Sequence, residues 1–337
     1  MNELSRSKKQ MKTRTGTMTS LKLSLIACVI INSTLMAALL AAAEPKQNKA
    51  AAPAAKQFDT PEQAVDSLLA AAESFDVTAL KEILGPDSED IVSSEDPVMD
   101  KSRAGAFAAK AKEKKSIDKK DPNREILTVG NDDLTLPIPI VKNKGKWSFD
   151  TKVGREEILN RRTGSNELDA INILRGFDEA QHEYAQELHD DSKVHQYAQK
   201  ILSTAGKQDG LAWQNKDGTW GGPVGEEIAK ALEEGYSAQG GKPYHGYYFK
   251  VLKGQGPAAP IGVMDFVVEG AMIGGFALAA APADYRVTGV QTFIVGPDGV
   301  VYQKDLGPDT LKMFQSMDRY NPDQTWQETD DDDDSQD

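Results

Sequence analysis

The chain has 337 residues and a formal net charge of −13, with 52 acidic against 39 basic side chains. That length allows two domains of roughly 100–200 residues each, and that charge argues against nucleic acid phosphates or anionic lipid headgroups as partners. The lone cysteine, Cys28, excludes an internal disulfide framework.

Residues 1–22 carry Arg6, Lys8, Lys9, Lys12, Arg14 and Lys22 against Glu3, whereas 23–43 carry no charge and end in Ala41, Ala42 and Ala43. A basic start, an apolar middle and a small-residue end read as a secretory signal peptide, 1–43, closing at those alanines. The alternative is an uncleaved anchor through 23–43, since the run is just long enough for the roughly 20 residues a bilayer needs. Asn32, Ser33 and Thr34 favour cleavage. Leu25-Ile26-Ala27 before Cys28 resembles the lipobox of bacterial lipoproteins, but lipidation there would leave Val29–Ile31 and Leu35–Leu40 on the mature chain. Cleavage takes a net +5 with it, so the remainder stands at −18 rather than −13 and has no thiol. The expected location is periplasmic or secreted, with an envelope protein as the expected partner. Membrane contact is expected only through the N-terminal segment, and no nucleic acid is expected.

Residues 44–57 read as a flexible linker rich in Ala, Lys, Pro and Gln. Thr60, Pro61 and Gln63 form a capping signature for a first helix with Ala64, Val65, Leu68, Leu69 and Ala72 inward. Asp76 starts a second helix that Gly85-Pro86 stops. A charged helix is expected over Asp100–Ser116, then strands over Glu125–Val129, Leu134–Val141 and Lys146–Asp150. Pro137 and Pro139 make the middle strand an edge or a bulge. Residues 58–150 therefore read as an N-terminal α+β domain, faintly similar to the cone fold of nuclear-transport-factor-like proteins.

A second domain is expected over 151–326. It opens with a bridging helix, Thr151–Arg162, with Val153, Ile158 and Leu159 apolar, ending near Gly164. Ser165 then caps the longest helix, whose core stripe is Leu168, Ile171, Leu174, Phe177, Gln181, Tyr184 and Leu188. Val194, Tyr197, Ala198, Ile201 and Leu202 extend the pattern to Gly206. Trp213 and Trp220 flank a turn, and a short helix follows over Glu226–Glu234. Tyr247–Leu252, Met264–Val268 and Phe276–Ala281 read as strands. Val290–Val295 and Val300–Lys304 form a hairpin across Gly296-Pro297-Asp298-Gly299. A last helix spans Asp309–Met317, Trp326 docks back, and 327–337 is a solvated acidic tail. A calcium site in that tail lacks spaced ligands and a glycine turn. The fold class is α+β: N-terminal helices plus a small antiparallel sheet, then a long amphipathic helix on a C-terminal antiparallel sheet.

No catalytic constellation emerges, and no metal or cofactor is implied. His182 and His189 are seven apart, not the three or four a metal pair on a helix needs, and read as surface histidines. Gln186 stands where a zinc-protease motif needs histidine. His195 and His245 have no sequence-local partners. Glycines after Trp220 precede a helix without an anion-loop fingerprint. The polar residues nearest the second sheet are His245, Tyr247, Asp298, Lys304 and Asp305. They are the surface candidates for a binding or hydrolytic site. The favoured reading is a non-enzymatic scaffold or interaction module; the alternative is an exported hydrolase or small-ligand binder.

From Phe58 to about Trp326 the chain resembles the bacterial envelope family known as domain of unknown function 2950. The likeness rests on Phe58–Ala64, Asn166–Ile171, Pro243–Phe249, Met272–Leu278 and the long string Thr292–Thr310. It implies an exported protein of unassigned activity and transfers no catalytic residue. A second likeness, over about 166–304, is to the soluble part of type IV pilins and pseudopilins. It rests on Asn166-Glu167-Leu168, Gly246–Phe249, and Tyr285–Val290 before a Pro-Asp-Gly-Val hairpin. That family places a hydrophobic stem before the helix; here Arg161–Gly164 are polar, so the resemblance implies the fold and not fibre assembly.

Overall fold

The structure is a computed structural model and describes residues 54–237 and 241–329. Cys28, Ala41, Ala42 and Ala43, most of the linker, and the acidic tail from Asp330 lie outside the described residues.

Thr60 caps α1 (Pro61–Ser74): its hydroxyl accepts from Gln63 N at 3.2 Å, while the Gln63 side chain accepts from Asp59 N. Asp76 caps α2 (Val77–Leu84) in the same way through Ala79 N, and Gly85 ends it. A short α3 (Glu89–Val92) leads to α4 (Pro97–Glu113). This helix starts three residues before the expected Asp100, because Asp96 accepts from Met99 N and Pro97 suits the first turn.

The next element was not legible. β1 (Lys115–Asp121) is a charged strand with Ile117 as its one apolar residue, and its ladder with β2 (Arg124–Val129) holds it extended. The expected strand 134–141 is split into β3 (Leu134–Thr135) and β4 (Ile140–Asn143), with both prolines in the break. β5 (Lys146–Phe149) completes an antiparallel sheet in the order β1-β2-β4-β5, with β3 also on β2. Leu68, Ile83, Leu127, Ile140, Trp147 and Phe149 share the core between this sheet and the helices.

Where two helices were expected there is one. α5 runs unbroken over Thr151–Tyr184, 34 residues and roughly 50 Å long. Gly164 and Ser165 face solvent in mid-helix, while Arg162, Thr163 and Asn166 beside them are buried. Packing on both sides holds the helix through a glycine that costs only about 1 kcal/mol. Ile158 packs on the first core, whereas Ala170, Leu174, Phe177, Ala180 and Tyr184 lie in the second. Leu168 is an exception to the expected stripe at 55% exposed; it precedes Ala170 by two residues, about 200° around the helix. Val153 is exposed too, and Leu188, also exposed, lies past the helix end.

Residues 185–212 are not helical, contrary to the pattern read through Leu202. The fully buried Gln181 side chain explains part of this. It donates to Ala198 O at 2.9 Å and accepts from Ala198 N at 2.8 Å, satisfying the backbone as a strand would. His189, expected on the surface, is buried and stacked on Tyr184 with ring centroids 3.8 Å apart.

β6 (Trp213–Gln214) and β7 (Trp220–Gly221) form a small hairpin before α6 (Gly225–Glu234). The second sheet opens with β8 (Tyr247–Leu252), which runs on into β9 (Gly254–Gln255). β10 (Met264–Asp265) pairs with β9, and β11 (Val267–Val268) with β12 (Ala271–Met272). Next come β13 (Ala277–Pro282), β14 (Gln291–Val295), β15 (Val301–Asp305), α7 (Thr310–Ser316) and β16 (Gln327–Glu328). The order β16-β15-β14-β13-β8 is antiparallel throughout. Ala277, Ala279, Ala280 and Ala281 on β13 are fully buried, with α5 and α7 both packed against this small-residue strand. The β14–β15 hairpin forms as expected, with Gly299 at φ +70. Trp326 docks on the second core, 5.8 Å beneath the Lys304 ammonium.

Candidate functional site

The five candidates do not converge. Tyr247 is no surface residue: it is fully buried on β8, and its hydroxyl donates to Gln291 O at 3.0 Å. Gly289 makes room for it, since a Cβ there would lie 2.1 Å from the phenol oxygen. Asp298 accepts from Tyr320 OH at 3.2 Å in the hairpin turn. At the other end of β15, Lys304 donates to Thr325 Oγ1 at 2.5 Å. Asp305 accepts from Tyr285 OH at 3.1 Å and Gly307 N at 2.7 Å. Each is spent on an internal bond.

His245 stands apart, at a junction of four segments. Tyr244 and Tyr247 exchange backbone bonds of 2.8 and 3.1 Å around His245 (φ +49) and Gly246 (φ +77). These are the signs of a type I′ turn, and histidine occupies a left-handed position usually left to glycine or asparagine. Side chains from elsewhere hold it there. The His245 Nδ1 lies 2.8 Å from Asp169 Oδ2 on α5. Gly246 N donates to Asp96 Oδ2 at 2.8 Å, and Tyr236 OH donates to the same oxygen at 3.0 Å. The Tyr244 ring lies 4.7 Å from Tyr236 and 4.3 Å from His245. Gly246 is needed for space as well as for φ, since a Cβ would lie 2.4 Å from Asn166 Nδ2.

Behind the turn lies a buried polar joint centred on α5. Arg162 donates to Asp90 O and Ile91 O at 2.6 Å each, ending α3, and its guanidinium lies 3.7 Å from Asp100. Asp100 also accepts from Ser94 N at 2.6 Å. Arg103 donates to Asn166 Oδ1 at 2.6 Å, and Asn166 donates onward to Thr288 O at 2.7 Å. Glu167 accepts from Val290 N and Gln291 N. One turn and a half of α5 thus ties α3 and α4 to the second sheet. Burial raises the Asp100 carboxyl, against the pull of Ser94 and Arg162. Burial likewise lowers both the Arg103 and Arg162 guanidiniums, while nearby carboxylates support them.

A histidine–carboxylate pair acts as a base when a hydroxyl or thiol sits within its reach. Among the described residues no serine or threonine hydroxyl is bonded to the His245 ring, and there is no cysteine. The Tyr236 hydroxyl, 3.4 Å from the His245 backbone N, is pushed far up by burial and then by Asp96, away from ionisation; Tyr244 moves up too, by burial and by Glu234. No three His, Asp or Glu side chains among the described residues converge to hold a metal ion. A groove of about 470 Å³ runs between Pro97, Val98, Lys101 and Gly105 of α4 and Glu234-Gly235. It is open and contains none of the joint's buried groups.

Sequence reasoning found His245 but missed Asp96, Asp100, Arg103, Arg162, Asn166 and Asp169. Asp96-Pro97 carries its own capping signal. Arg162, Asn166 and Asp169 share one helical face at spacings of four and three, which shows only if the helix continues past Gly164.

The fold and this joint define an α+β protein in which one long helix serves two cores and a buried polar network locks them around it. The chain belongs to the family described as protein of unknown function (DUF2950), whose sequence profile matches residues 55–329. No curated protein and no solved structure matches it, and the likeness to pilin soluble parts is not among what these comparisons show. No helix of the described residues is long and apolar enough to cross a membrane.

Proposed function

We propose that this is an exported envelope protein that works as a non-enzymatic interaction module. Export rests on the basic, apolar and small-residue order of residues 1–43. The observation that carries the interaction reading is a concentration of exposed aliphatic side chains. Ile261 and Val263 are 72% and 67% exposed, and Val268 and Ile273, within twelve residues along the chain, are also exposed. Scattered apolar residues need no explanation, but four within one folded loop of an acidic surface favour a contact face. The internal engagement of Tyr247, Asp298, Lys304 and Asp305 supports the same reading.

The test places a photo-crosslinking residue at Ile261 or Val263 in the full chain expressed in its own cells. The expected result is one discrete adduct in the envelope fraction. With the probe kept in place, Val268→Asp with Ile273→Asp should abolish it without lowering the thermal midpoint. No adduct at either position, or a cytoplasmic location for the mature chain, overturns the proposal.

A further inference from the structure

The outer edge of β8 is interrupted in a way that fits a short extended ligand. β8 is the last strand of its sheet. Gly246 O accepts from Ala283 N, which places Gly246, Tyr248, Lys250 and Leu252 on the hydrogen-bonding side facing β13. The backbone groups of Tyr247, Phe249, Val251 and Lys253 therefore point away from the sheet. Tyr247 is closed on that side by Tyr244, and Lys253 O by Phe266 N at 2.9 Å. Between them Phe249 and Val251 have no outward backbone partner among the described residues. The chain that closes one end pairs no further than Tyr244, and Lys242, due opposite Phe249 in that register, makes no backbone bond to it. At the other end it turns away after Phe266 into the β11–β12 hairpin. The result is a slot in the sheet edge, about 20 Å from Tyr247 to Lys253, offering the N–H groups of Phe249, Val251 and Lys253 and the C=O groups of Phe249 and Val251.

We infer that this slot binds an extended peptide segment of a partner protein by strand addition, with apolar side chains opposite Phe249 and Val251 and acidic ones between and beyond them. The inference rests on the interaction reading above and names its partner chemistry. Unpaired edge groups are templates for an added strand, with backbone bonds giving affinity and alternate side chains giving specificity. Phe249 and Val251 are half-buried apolar residues on the face toward the second core. The charge is complementary: Lys242 and Lys253 are exposed at the two ends of the slot, and neither pairs with an acid among the described residues. Lys250 lies between them, its ammonium 2.9 Å from Gln315 O at the end of α7. This is a lysine-lined edge on a chain of net charge −13. A second copy fits poorly, because the segments closing each end would meet their own mates before two β8 edges could pair.

The test uses the full mature chain and a displayed library of peptides about eight residues long, followed by hydrogen exchange. The Phe249 and Val251 amides should exchange fast in the free protein and become protected when an enriched peptide is added. Enriched peptides should alternate apolar and acidic residues. Val251→Pro removes an outward donor and no bond to β13, so it should weaken binding at least tenfold while thermal unfolding stays close to wild type. Lys242→Glu with Lys253→Glu should weaken binding and reduce its salt dependence. A second probe, the selected peptide N-methylated at alternate residues, should not bind, whatever the variants do. The inference falls if no peptide is enriched, or if Val251→Pro binds as wild type does. It also falls if the two amides are protected in the free protein, whether by self-association at rising concentration or by a tail that truncation after Thr329 removes. Formation of the Ile261/Val263 adduct with binding unaffected by Val251→Pro would leave the interaction module standing and remove the slot.

Discussion

Asp96 is the residue on which the junction turns, and Asp96→Ala tests that directly. Its carboxylate, 2% exposed, caps α4 through Met99 N at 3.1 Å and accepts from Gly246 N and Tyr236 OH. Losing the cap costs about 1 kcal/mol. Leaving the buried Gly246 amide without an acceptor costs about 1–3 kcal/mol, and the half-buried Tyr236 hydroxyl adds about 0.5 kcal/mol because water can reach it. The sum is about 3–4 kcal/mol, which lowers the urea midpoint by about 1 M at a slope near 3 kcal/mol/M. Asp96→Asn keeps an acceptor oxygen and should cost about 1 kcal/mol. A local readout separates this from general damage. Burial first, and then Asp96, hold the Tyr236 phenol far above its ordinary value, so phenolate absorbance should begin to rise at lower pH in both variants. The reasoning is refuted if Ala costs under about 1 kcal/mol, if Asn is as damaging as Ala, or if the tyrosine titration does not move.

Two glycines of α5 should answer in opposite senses. Gly164→Ala meets nothing within 4 Å and should stabilise by about 0.5–1 kcal/mol, whereas a helix ending there would gain nothing. Gly154→Ala would set a Cβ 2.5 Å from the Pro137 backbone and should cost about 1–3 kcal/mol; thermal unfolding of the pair checks both. At acid pH, Asp209 and Asp100 oppose each other. Burial pushes Asp209 up, but bonds from Lys200 and Thr204 overcome it and bring the carboxyl down to about 2. Its contribution is therefore present above the unfolded value of 3.8 and is lost as pH falls from there to about 2. Nominally this is about 2.5 kcal/mol, cut to about 1 kcal/mol by solvent screening, and Asp209→Asn should flatten that limb of stability against pH. Asp100, raised by burial, acts in reverse: stability falls as pH rises from 3.8 through its folded value.

Local chemistry was enough to read much of this chain. Thr60, Asp76 and Gly299 act through bonds to residues two to four away or through their own φ, so the first helices and the β14–β15 hairpin could be placed from sequence. The apolar alternation of Phe293 and Val295, and the stripe through Leu174, Phe177 and Tyr184, likewise fixed a helix on a sheet. What local chemistry could not say was decided by partners far along the chain. Gly164 does not end α5, because buried residues on either side of it are held by α3, by α4 and by the loop at Thr288. β1 is a strand because β2 lies beside it, though its own residues are charged. Residues 194–202 are not helical, and a buried Gln181 satisfies the Ala198 backbone there. His245 carried no partner in sequence, yet folding brings Asp169, Tyr236 and Asp96 to its turn from 76, 9 and about 150 positions away. Backbone propensity acts over a few residues; the desolvation of a polar group is settled only by whatever the fold puts against it.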